Sequence, residues 1–95
     1  MSLVYEAGMV MVRRLERDPK AGRTFVEAAA RAAEGELRGR AATSAEVERV
    51  AELIATAALT TIYVPAKRPE RGAIRHLGTQ AGVSAAQEIL NGRRD

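Results

Sequence analysis

An all-α fold is predicted by three features of this chain. Apolar residues recur at spacings of three and four, Thr-x-x-Glu helix-start signals appear twice, and no alternating apolar run is long enough for a strand. The arrangement expected is a small helical bundle of three longer helices plus one or two short C-terminal helices, assembled as an oligomer.

Leu3, Ala7, Met11 and Leu15 stand four apart, and Val4, Val10 and Val12 widen that stripe, predicting a first helix over residues 3–17. The run Met9, Val10, Met11, Val12 is apolar around more than half the helix, the pattern of a rod buried on two sides. Val4, Met9, Val10, Met11, Val12 and Leu15 are therefore candidate oligomer-interface residues; a central core helix within one chain fits the same pattern. Gly8 in mid-helix allows a neighbouring helix to come close.

Asp18-Pro19-Lys20-Ala21-Gly22 has turn chemistry and is expected to end the first helix. Thr24 and Glu27 have capping-box spacing, so a second helix is expected over residues 25–38, stopping at Gly39. Its alanine run favours helix and close approach but supplies little bulk. Thr43 and Glu46 repeat the capping box, and Val47, Val50, Ile54, Ala57, Ala58 and Thr61 follow with helical spacing. A third helix is expected to reach Tyr63, since Pro65 disfavours helical geometry at Val64. Residues 65–72 read as a polar connector, followed by short helices over 73–80 and 84–90, with Ser84 and Gln87 offering a weaker capping box. The chain thus divides into a helical oligomerisation region, 1–64, and a basic connector with short helices, 65–95, inside one domain-sized chain.

Charge is distributed unevenly. Residues 1–64 carry nine basic and nine acidic side chains, whereas 65–95 carry six basic and three acidic, so the net +3 resides in the last third. Lys67, Arg68, Arg71, Arg75, Arg93 and Arg94 are candidate phosphate contacts, because neutralised phosphates release counterions. A solvated connector and a basic terminus explain the same residues without a ligand.

Leu77, Gly78, Ala81, Gly82 and Val83 supply, in order, an apolar contact, a small crossing residue, an inward position, a turn glycine and a buried residue after it. With Leu90-Asn91-Gly92 further on, this stretch resembles the helix-turn-helix of lactose-repressor-type headpieces. The resemblance implies DNA binding through a helix after Gly82. The second half departs from the pattern: Glu88 and Asn91 stand where that family has apolar residues, and Ile89 and Leu90 are each displaced by one place. Gln87 is left as the plausible base contact. The competing reading makes Gly78, Gly82 and Ala86 a small-residue face on which another helix packs closely.

Other classes find less support. Without cysteine there is no disulfide framework or thiol chemistry, which fits a reducing, cytoplasmic setting. Residues 1–6 lack a signal-peptide pattern, and the uncharged stretch 53–64 is shorter than the about 20 residues a membrane span needs. His76 is the only histidine and no nucleophilic arrangement surrounds it. Glu48 and Glu52 lack a Glu-x-x-His companion, so no metal, cofactor or catalytic residue is assigned and no enzyme is expected. Phe25, Tyr5 and Tyr63 are the only aromatics, a thin core that favours sharing apolar surface between subunits. The expectation is a self-associating protein-interaction module, favoured as a homodimer. The alternative is a nucleic-acid-binding protein with its basic C-terminal element on a dimeric helical scaffold.

Overall fold

A computed structural model describes residues 3–12, 19–64, 67 and 69–93, with Met11 and Val12 described through the backbone alone. Helices α1 (Leu3–Val12), α2 (Pro19–Leu37), α3 (Ser44–Ala58) and α4 (Arg71–Gly92) carry the fold, and a π-helical turn at Leu59–Tyr63 continues α3. The all-helical class agrees with the sequence, and no strand occurs among the described residues.

The expected extension of the first helix through Leu15 lies outside the described residues. α2 begins a turn and a half earlier than its capping-box spacing indicated. Proline is well suited to a first helical position, where its fixed φ is helical and its missing N–H costs nothing. Thr24 consequently sits inside the helix, and its hydroxyl donates to the Lys20 carbonyl at 3.0 Å instead of capping. After Leu37 the chain turns through Gly39, whose φ of 77° suits a residue without Cβ, and the Arg40 N–H donates to the Leu37 carbonyl.

The second capping box forms as expected. The Glu46 N–H donates to Thr43 Oγ1 at 3.1 Å, and the Thr43 N–H donates to Glu46 Oε1 at 2.9 Å. At the far end of α3, the Val64 N–H reaches the Leu59 carbonyl at 2.8 Å, a five-residue span that closes the π-helical turn.

The C-terminal segment corrects the expectation of two short helices. α4 runs unbroken through Gly82, and both Gly78 and Gly82 are buried on its inner face. A β-carbon on Gly78 would lie 2.5 Å from the Phe25 carbonyl oxygen, and one on Gly82 would collide with the Ala29 carbonyl. Backbone therefore touches backbone along the seam between α2 and α4, with Ala86 buried in line with the two glycines. The small-residue face weighed against the helix-turn-helix is the arrangement present.

Contacts at Phe25–Gly78, Ala29–Gly82 and Glu36–Gln87 advance together along both helices, so α2 and α4 run parallel. Glu46–Arg93 and Arg49–Glu88 advance oppositely, so α3 is antiparallel to α4. α1 packs on α2 and α3, and a β-carbon on Gly8 would lie 3.0 Å from Val26 Cγ1. One apolar cluster joins all four helices: Val4, Phe25, Val26, Val50, Ile54, Ile62 and Ile74, with many alanines between them. Phe25, Val26, Val50 and Ile54 are completely covered by this single chain. Small side chains let the helices close up, replacing the bulk that the composition lacks.

Candidate functional site

Two surfaces collect the residues singled out from the sequence. The first is the outer side of α1. Leu3, Ala7 and Val10 fall within about 60° of the helix circumference at about 100° per residue. Leu3 and Val10 are 68% and 59% exposed, while Val4 and Gly8, on the other side, are buried in the chain's own core. Met9 is half-buried against that core. The side chains of Met11, Val12 and Leu15 lie outside the described residues. Glu6, the only charge on α1, is exposed between Leu3 and Val10 on the same face, so that face is mostly apolar and carries a single carboxylate.

The second surface is basic and joins α2 to α4. Arg31 and Arg75 line one groove of about 270 Å³ together with Thr24, Glu27, Ala28, Ala32 and Thr79. Arg71 lies one turn before Arg75 on the same side of α4, and Lys20 and Arg23 continue the Arg31 stripe toward the start of α2. Lys67 is exposed in the connector; Arg68 and Arg94 lie outside the described residues.

Two of the sequence-selected polar residues are engaged elsewhere. The Arg93 guanidinium donates to Glu46 Oε2 at 2.7 Å and to the Arg40 carbonyl at 2.6 Å, with a longer bond to the Ala41 carbonyl. It ties the last turn of α4 to the bend between α2 and α3. That guanidinium, followed by the Thr43 N–H, holds the Glu46 carboxyl down at about 2, against an ordinary value of 4.5. Gln87 Nε2 donates to Glu36 Oε2 at 3.3 Å, across the α2–α4 seam. With α4 continuous, Gln87 belongs to no recognition helix.

His76 is exposed on α4, and Glu52 pairs with Arg49 at 3.3 Å on the outer face of α3. No cluster of metal-ligating side chains occurs among the described residues, and none of their helices is long and apolar enough to cross a membrane.

Sequence reasoning overlooked Lys20, Arg23 and Arg31 as partners of Arg71 and Arg75. Their spacing along α2 showed a shared stripe, but not which helix lay beside it. No family model, curated protein or solved structure matches the chain.

Proposed function

We propose that the chain is a small helical self-association module that docks through the outer face of α1. The observation supporting this is the exposure of Leu3 and Val10, with half-buried Ala7 between them, on a helix whose opposite side is already buried. Water-exposed apolar side chains grouped on one helix face gain free energy when a second such face covers them, at roughly 25 cal/mol per Å². The single chain closes its own core, so association rests on this stripe and not on a shortage of internal burial. A homodimer places the stripe against its own copy, with Ala7 allowing close approach between the larger Leu3 and Val10. Light scattering tests the reading: Val10→Asp puts a charge in the contact and reduces the mass to that of one chain. An unchanged mass would remove α1 from the interface.

A further inference from the structure

We propose that the face formed by the N-terminal halves of α2 and α4 binds the phosphate backbone of a nucleic-acid duplex without reading its sequence. The parallel pairing of these helices sorts charge along the molecule. Among the described residues, 19–31 and 67–82 contribute Lys20, Arg23, Arg31, Lys67, Arg71 and Arg75 against Glu27 and Glu70, a balance of +4. Residues 34–52 and 83–93, at the opposite end, contribute six carboxylates and four arginines, a balance of −2.

The two ends also differ in how their charges are used. At the acidic end Arg49 reaches Glu52 and Glu88, and Arg93 is held by Glu46. At the basic end Glu27 approaches Arg31 at 3.8 Å, with 84% of the Arg31 side chain still exposed. Lys20, Arg23, Lys67, Arg71 and Arg75 make no ion pair with any described carboxylate and all face solvent. These cations are free to meet an external anion.

Their layout suits an extended polyanion. Lys20 to Arg31 covers about 17 Å of helix axis at 1.5 Å per residue, a length matching about five nucleotides of one strand at 3.4 Å each. Arg75 borders the groove from the other side, with Arg71 one turn before it on α4, and Arg31 and Arg75 can each present a planar fork to phosphate oxygens. Parallel helices also bring two positive N-terminal ends to this pole. Besides Arg31, Arg75 and the single carboxylate Glu27, the groove is lined by alanines and threonines and offers no large exposed apolar side chain, which a lipid surface would require for insertion. Base edges have no dedicated reader here, so affinity is insensitive to sequence.

The test is fluorescence anisotropy of the full chain with short labelled duplexes of two unrelated sequences across a salt series. Engagement of four to five phosphates gives a log–log slope of about −3.5 to −4.5, so affinity falls roughly 100- to 500-fold between about 50 and 200 mM salt, equally for both duplexes. Arg23→Gln, Arg31→Gln and Arg75→Gln together flatten the slope by about 2.7, and Arg75→Gln alone by about 0.9. Arg38→Gln with Arg40→Gln, at the acidic end, leaves it unchanged. No binding at the lowest salt, binding indifferent to the groove substitutions, or binding to anionic vesicles in place of duplex each overturns the proposal. The surface lies within one chain and stands whether or not α1 self-associates.

Discussion

Gly82 rests directly against the carbonyl of Ala29, with no room between them for a methyl group. Gly82→Ala must therefore push α4 away from α2 or distort one of the two backbones. The expected loss is about 3 kcal/mol or more, at or beyond the upper range for overpacked cores. Gly35→Ala, where nothing lies within 4 Å, should instead stabilise by up to about 1 kcal/mol through helix propensity. Urea unfolding of the two variants checks the contrast; equal effects would show that the seam is not closed in solution.

Arg93 makes the end of α4 depend on a carboxylate forty-seven residues away. Because the folded Glu46 carboxyl lies near 2, below its ordinary 4.5, its contribution is fully present above pH 4.5 and disappears as pH falls toward 2. Glu46→Gln and Arg93→Gln should each lower the melting temperature at neutral pH and reduce the loss of stability across that acid window. Following the Glu46 carboxyl by NMR gives a direct check: its midpoint should rise toward the ordinary range in Arg93→Gln.

Ala41 adopts a φ of 51°, left-handed geometry that an L-residue enters at a cost of roughly 1–2 kcal/mol. Ala41→Gly removes that cost while adding about 0.5–1 kcal/mol of backbone entropy. The net gain expected in chemical denaturation is about 0–1.5 kcal/mol; a loss of stability would show that the Cβ makes a compensating contact.

Ile54 and Val10 separate core from surface. Ile54→Ala should cost about 2–5 kcal/mol, because the residue is fully enclosed and its loss leaves a cavity. Val10→Ala should change the stability of the isolated chain by no more than about 0.5 kcal/mol, yet weaken association in a concentration series. Similar unfolding losses at both positions would place Val10 inside the protein.

Two identical spacings show what local sequence can carry. Thr43 and Glu46 form the expected box after the turn at Gly39, whereas Thr24 and Glu27 do not, because Pro19 has already started the helix upstream. The motif specifies a good cap and leaves open whether one is needed. Gly78 and Gly82 illustrate the opposite limit: propensity favours a break, but close approach to Phe25 and Ala29 keeps α4 intact. Spacing made the helical period of α1 legible but not which side stays exposed: of the candidate interface residues, Val4 is buried in the chain's own core while Val10 faces outward. The basic face was only half legible, since the adjacency of Arg31 and Arg75 depends on a helix pairing across more than forty residues, to which no local signal points.

The parallel spine of α2 and α4 joins segments made early and late during synthesis. Until residues 71–92 leave the ribosome, the side of α2 around Phe25, Ala29 and Ala33 has no permanent cover. A nascent chain halted before α4 thus leaves that side of α2 uncovered, and the four-helix core closes only once this later helix has been made.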